Sequence, residues 1–138
     1  MGFSASEIEV FQSAKRASSP HTEDPALERL RTHQSEGVRA ALLGNSAFAH
    51  RASAHARYLL ADPRASWVTF QAIASSVHID TDLYDRVYDE KKWYVLIALA
   101  TNPVCPRELL MRIAESEDPN NADVAKVARA RLGLPRPS

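Results

Sequence analysis

Apolar residues recur along the chain with helical spacing, in short segments separated by breaks that contain proline, glycine, Asp or Asn. Residues 93–100 are apolar on every side, so we expect a helix enclosed by neighbours rather than one lying on a surface. Asn102-Pro103 is predicted to end this helix, because the ring of Pro103 disfavours helical geometry in the residue before it. A second helix is predicted after Cys105, with Pro106 in its first turn, where a missing N–H is tolerated.

Capping signals divide the rest of the chain into further short helices. Ser4 and Glu7 have the spacing of a capping box and start a helix with an apolar stripe, Ile8, Phe11 and Ala14. The stripe favours packing of this helix on the body, and the alternative is a mobile arm. Residues 1–22 are therefore predicted to be an N-terminal helix and linker, and residues 23–138 a helical domain. Other helices are predicted to start at Asp24-Pro25 and Asp62-Pro63, and to span 36–43, 47–61, 82–88 and 122–132. Alternation with a period of two is absent, so no sheet is predicted.

The chain also contains an internal repeat. Residues 67–76 align with 93–102 at an offset of 26, which places Trp67 over Trp93. Looser copies place small residues at equivalent positions, namely Ala41, Ala72, Ala98 and Ala130. Helix pairs that cannot bury their apolar faces alone must stack on their neighbours, so we expect a stacked array.

The sequence NPVCPRELL at residues 102–110 resembles the signature of the leucine-rich repeat variant family, a HEAT-like group of α-solenoids. The resemblance is best over Leu99–Ala114 and extends more loosely over residues 36–132. It implies an all-α fold: a short right-handed α-solenoid of degenerate helical repeats, with no sheet. It also implies interaction with macromolecules, usually proteins, and brings no catalytic residues.

Composition and charge narrow the classes of function. The 17 basic and 17 acidic residues balance, so the chain has no basic excess for binding nucleic acid or an anionic membrane. Cys105 is the only cysteine, which excludes an intrachain disulfide and fits a reducing compartment. The N-terminus shows no basic region followed by an apolar run, so no signal peptide is predicted and a cytoplasmic location is expected.

Motifs for catalysis or cofactor binding are missing from the sequence. The four glycines are too scattered to form a phosphate-binding loop, and neither a G-x-S-x-G nor an H-E-x-x-H motif occurs. His50 and His55 would point about 140° apart on one helix, so they cannot share a metal ion and are expected at or near the surface. We therefore predict no enzyme activity, no catalytic residue, no cofactor and no metal site.

Aromatic and charged residues provide the candidate partner-binding site. Two lysines precede Trp93 and Tyr94, and aromatic residues beside cations are typical of interface anchors. The equivalent position of Trp67 favours a second interpretation, in which Trp93 packs between repeats. An acidic cluster lies on one helix face and could attract a basic partner or simply be solvated. The residues predicted to contact a partner are Tyr58, Asp82, Asp85, Asp89, Lys91, Lys92, Trp93 and Tyr94.

The function expected from these features is non-enzymatic. The leading hypothesis is a helical-repeat protein that binds a protein partner, as an adaptor or as an inhibitor or immunity-type protein. The alternative is a HEAT-like module that binds nucleic acid through a basic concave face. That alternative requires several basic residues to converge: Arg51, Arg57, Arg64, Arg86, Lys91, Lys92 and Arg112.

Overall fold

A computed structural model describes Gly2 and residues 4–134, so the C-terminal end of the predicted 23–138 domain lies outside the described residues. Within them the chain folds into nine α-helices and no β-strand. The α-helices are α1 (Ala5–Ser18), α2 (Asp24–Leu30), α3 (Glu36–Ala41), α4 (Ala52–Leu60), α5 (Trp67–Ser75), α6 (Thr81–Tyr88), α7 (Trp93–Thr101), α8 (Arg107–Ala114) and α9 (Ala122–Leu132). Short 3₁₀ helices span Leu42–Gly44, Ser46–Arg51 and Pro119–Asn121. The all-α prediction is confirmed.

Several helix ends follow from local chemistry. The capping box at Ser4 and Glu7 forms as predicted, with the Glu7 amide donating to Ser4 Oγ at 3.2 Å. Asn102 ends α7 in extended backbone geometry, as the following proline requires. Gly133 ends α9 with φ of 70°, a left-handed conformation that glycine adopts without steric cost.

Two predicted boundaries are wrong. The helix expected over 47–61 is interrupted, because the 3₁₀ helix Ser46–Arg51 precedes α4. Asp62-Pro63 starts no helix, since the Asp62 carboxylate accepts the Arg64 amide at 2.9 Å and closes a turn instead. The next helix, α5, begins only after Ser66, whose Oγ accepts the Val68 amide as an N-cap.

A carboxylate from another helix fixes this start of α5. Glu36, in the first turn of α3, accepts hydrogen bonds from the Ser66 amide at 2.8 Å, from Ser66 Oγ at 2.6 Å and from Thr69 Oγ1 at 2.7 Å. These donors hold the pKa of the Glu36 carboxyl below its usual value, despite the opposing effect of burial. The start of α5 is therefore set by a contact about 30 residues away in sequence.

The odd-numbered helices pack in the order of the sequence. Helix α1 contacts α3, α3 contacts α5, α5 contacts α7, and α7 contacts α9. Intervening helices connect these neighbours, and α8 packs mainly on α9. Helix α7 is enclosed as predicted, with Val95, Leu96, Leu99 and Ala100 buried.

Buried apolar side chains form two clusters. The larger one extends from Leu43 to Ala128 and includes the buried face of α7. The smaller one joins α1, α2 and α3 through Ala17, Leu27 and Val38. The N-terminal helix therefore packs on the body, but through its small residues Ser13 and Ala17.

Two asparagines, one following α3 and its 3₁₀ extension and one following α7, make the same contact with the end of the preceding odd-numbered helix. Asn45 Nδ2 donates to the carbonyl oxygens of Ala17 and Ser19 at 2.7 and 2.8 Å. Asn102 Nδ2 makes the equivalent bonds, at 2.8 and 2.9 Å, to the last carbonyls of α5. Each asparagine Oδ1 also accepts the amide two residues later. Carbonyls that a helix end leaves without an intrahelical partner are thereby satisfied from the next helix.

Other side chains complete this series of contacts. Ser76 Oγ donates to the Leu43 carbonyl at 2.6 Å. The Arg131 guanidinium donates to the carbonyls of Ala100 and Asn102 at 2.9 and 2.6 Å. The ends of α1, of α3 with its 3₁₀ extension, of α5 and of α7 are thus each linked to a residue in or just after the next odd-numbered helix.

His55 is buried rather than at the surface, with a side chain that is 2% exposed. Its Nε2–H donates to the Arg39 carbonyl at 2.8 Å, and its ring packs edge-on against Phe48. Nδ1 has no hydrogen-bond partner among the described residues. Burial, assisted by nearby arginines, lowers the pKa of His55 below 6.5. The histidine was not expected here because its helix register follows the unpredicted 3₁₀ segment.

Acidification should therefore weaken the fold through His55. The unfolded chain binds a proton on this residue near pH 6.5, whereas the folded chain resists it, so stability is complete above that pH and falls below it. We expect the free energy of unfolding, measured in urea, to fall between pH 7.5 and 5.5, by at most about 1.4 kcal/mol, because pH 5.5 lies one unit below the unfolded pKa of 6.5. His55→Gln keeps a hydrogen-bond donor for the Arg39 carbonyl but does not titrate. The free energy of unfolding of this variant should therefore depend much less on pH. An unchanged pH dependence would contradict the assignment.

Candidate partner-binding surface

Two tryptophans occupy the first positions of neighbouring helices. Trp67 starts α5 and Trp93 starts α7, and their side chains are 57% and 55% exposed. The ring of Tyr94 meets Trp67 edge-on, with centroids 6.3 Å apart and planes at 74°. The match of Trp93 with Trp67 had suggested that Trp93 is buried between helices. The structure shows that it is not. The structure instead places two exposed indoles and a half-buried phenol along the starts of adjacent helices.

The two lysines before Trp93 have different environments. Lys91 adopts φ of 55°, in the left-handed region, which costs roughly 1 kcal/mol or more for a residue with a side chain. Its Nζ lies 3.5 Å from the centre of the Tyr88 ring, a cation–π contact. Lys92 is exposed at the N-cap position of α7 and forms no ion pair within the described residues. An exposed lysine therefore directly precedes Trp93 in sequence.

The acidic cluster is largely neutralised by arginines. Arg57 on α4 donates to Asp82 at 2.8 and 3.2 Å and to Asp80 at 2.9 Å, and these bonds lower the pKa of Asp82. Asp85 lies 3.8 Å from Arg112 on α8. The third predicted carboxylate, Asp89, is exposed. The predicted acidic residues do lie close together, but their ion pairs with Arg57 and Arg112 reduce the negative electrostatic potential of the cluster.

Tyr58 has a different set of contacts from the tryptophans. Its side chain is 49% exposed and stacks on His55, with centroids 6.0 Å apart and planes at 17°. It lines a cleft of about 360 Å³ whose wall includes Glu36, Arg39 and Arg64. The structure therefore brings Trp67 and Tyr94 together with Trp93 nearby, and assigns Tyr58 to a separate polar cleft.

Groups suited to catalysis are few in the described residues. Burial raises the pKa of the Cys105 thiol to about 11, so it stays protonated at neutral pH. Across residues 4–134, no three His, Cys, Asp or Glu side chains converge as metal ligands. None of the helices described has both the length and the apolar character needed to cross a membrane.

Trp67 was not among the predicted site residues, although it is as exposed as Trp93. The signal that could have found it is the alignment at an offset of 26, which gives the two tryptophans the same position. That position directly follows a helix N-cap, where a side chain projects from the end of a helix. A comparison of the chain with protein-family models, with curated proteins and with solved structures gives no match.

Proposed function

We propose that the chain is a short right-handed α-solenoid of degenerate repeats, similar to the leucine-rich repeat variant and HEAT groups, and acts without catalysis. The sequential packing of α1, α3, α5, α7 and α9 supports this architecture. So do the equivalent hydrogen bonds of Asn45 and Asn102, which recur at matching positions of the sequence repeat. Such arrays expose one side of each repeat unit to a partner.

The function proposed for this array is to bind a protein partner, as an adaptor or as an inhibitor of that partner. The observation that carries it is the pair of half-exposed indoles at equivalent positions of α5 and α7. Tryptophan is enriched among residues that dominate interface energetics, because it buries a large rigid surface. Tyr94 holds the Trp67 ring from one side, so part of the surface is organised before binding.

Charges around the indoles define the partner further. Lys92 directly precedes Trp93 in sequence, and the Lys91 amine lies over the Tyr88 ring. The carboxylates Asp80 and Asp82 are already engaged by Arg57. A partner would suit this arrangement if it placed an apolar segment against the tryptophans and carried an acidic residue next to that contact.

Nucleic-acid binding, the alternative function, has less support. Most of the basic residues that it requires are engaged by carboxylates, as in the ion pairs Arg51–Glu28, Arg57–Asp82, Arg64–Asp62, Arg86–Glu90 and Arg112–Asp85. Lys91 is committed to the Tyr88 ring. Only part of the positive charge therefore stays available for phosphates.

Removing both indoles should strongly weaken partner binding. We expect Trp67→Ala/Trp93→Ala to weaken binding by about 1,000-fold, because two tryptophan anchors of about 2 kcal/mol each contribute about 4 kcal/mol. The partner would be captured from nuclease-treated lysate of the source organism, purified, and titrated by calorimetry. The double variant should keep its circular dichroism, since both side chains are half-exposed.

Val77→Ala/Val104→Ala is the matched control, because these valines are exposed apolar residues that lie in loops, away from the starts of α5 and α7. It should bind like the wild type. A partner that binds the tryptophan variant with unchanged affinity would refute the proposed surface. Retention of nucleic acid alone, lost on nuclease treatment, would favour the alternative.

A further inference from the structure

The N-terminal helix α1 turns its large apolar side chains to solvent. Phe11 is 71% exposed, Ile8 44% and Val10 37%, whereas the residues that pack inward are the small ones, Ser13, Ala17 and the half-buried Ala14. The two large residues of the apolar stripe predicted to attach this helix to the body therefore face outward. Exposed phenylalanine carries a large unfavourable contact with water, which burial against a partner would remove.

This outward face belongs to a firmly attached helix. Ala17 lies in the smaller core cluster, and the carbonyls of Ala17 and Ser19 are held by Asn45. Midway along the helix, Glu9 accepts from His33 Nε2 at 2.8 Å. A face held this rigidly loses little conformational freedom on binding.

Charges on both sides of Phe11 indicate what covers this face. Glu7 and Lys15 lie four residues before and after Phe11. They are therefore about 6 Å from it along the axis and about 40° to opposite sides around it. Two copies of α1 that cross antiparallel at Phe11 would place each Glu7 against the other copy's Lys15. Ile8, three residues before Phe11, is also exposed and adds apolar area to the contact.

Other pairings match less well. A parallel pair would set Glu7 beside Glu7 and Lys15 beside Lys15, which is repulsive. Head-to-tail stacking on the opposite end of the molecule would meet the exposed side of α9, where Asp123, Lys126 and Ala130 offer no apolar surface of similar size. Self-complementarity about a two-fold axis is the hallmark of an isologous interface.

We infer that α1 forms a two-fold antiparallel contact with α1 of a second copy, centred on Phe11. One helix pair buries less than the roughly 1,600 Å² of a standard interface, so the dimer is weak and reversible. It forms on a helix different from those that carry Trp67 and Trp93. Partner binding and self-association are therefore separable by mutation.

Sedimentation of the full chain from about 10 µM to about 1 mM tests this contact. The wild type should shift from monomer toward dimer across this range, and Phe11→Glu should stay monomeric. Phe11→Glu should keep the wild-type circular dichroism, because the side chain it replaces is mostly exposed. Val104→Glu, at an exposed valine elsewhere, is the matched control and should dimerise normally. A wild type that is monomeric throughout, or a dimer that survives Phe11→Glu, would overturn the inference.

Disulfide trapping tests the orientation. Under mild oxidation, an equimolar mixture of Glu7→Cys and Lys15→Cys proteins should give a disulfide between unlike copies. Either protein alone should give much less, since like positions lie about 12 Å apart in the antiparallel pair. Cys105 is 7% exposed and contributes little background. Disulfides that form preferentially between like positions would indicate a parallel pair and overturn the antiparallel contact.

Discussion

Replacing Asn102 by alanine is expected to lower the free energy of unfolding by about 3 kcal/mol. The Asn102 side chain is 3% exposed and makes hydrogen bonds to the Val104 amide and to the carbonyls of Ala74 and Ser76. Alanine removes these bonds and leaves their backbone partners buried. Urea denaturation followed by circular dichroism measures the loss.

The same chain offers a control and a stricter variant. Asn120→Ala changes an exposed asparagine in a 3₁₀ turn and should alter stability by less than about 0.5 kcal/mol. Asn102→Asp keeps the shape but sets an acceptor against the two carbonyls, so it should destabilise at least as much as alanine. If Asn102→Ala behaved like Asn120→Ala, the contact between α5 and the end of α7 would be incidental.

Leu99→Ala should cost about 3 kcal/mol or more, because it opens a cavity in the middle of the larger cluster. Leu99 is fully buried on α7, the helix whose apolar residues face neighbours on several sides. Helices on both sides of α7 in the series of odd-numbered helices pack against it, so they cannot all move into the cavity. The loss in free energy of unfolding is calculated from the shift in the urea midpoint, provided that the dependence on urea concentration (the m value) is unchanged.

Val104→Ala provides the reference for this truncation. Val104 lies just beyond α7 and is 47% exposed, so its truncation should change stability by less than about 0.5 kcal/mol. Equal effects at the two positions would mean that α7 is less enclosed than its buried residues indicate.

The sequence predicted the fold best where each helix end depends on adjacent residues. Asn102-Pro103 and Gly133 act through their own backbone preferences, and both ends lie where expected. The start of α5 depends instead on Glu36, which is distant in sequence. The local helix-start signal at Asp62-Pro63 therefore predicted the wrong position.

The candidate surface was only partly predictable. The sequence identified Trp93 and its lysines, but the exposure of both tryptophans depends on how α5 and α7 pack. The acidic residues were found on one face, yet the arginine that pairs with Asp82 comes from α4, 25 residues earlier. The stripe on α1 was correctly seen as apolar, but only its smallest member, Ala14, packs inward, while Ile8 and Phe11 are exposed. Hydrophobic spacing shows which side chains share a face, but not whether this chain covers that face.

The helix-end contacts also bear on how the chain folds during synthesis. In the described part of the chain, no side-chain hydrogen bond joins residues more than 33 apart in sequence. Asn45, Ser76, Asn102 and Arg131 each complete a helix end that left the ribosome earlier. At translation rates of about 5–20 residues per second, each helix end waits roughly 1–7 s for its partner. The protein can therefore fold in the order in which it is made, from the first helix onward.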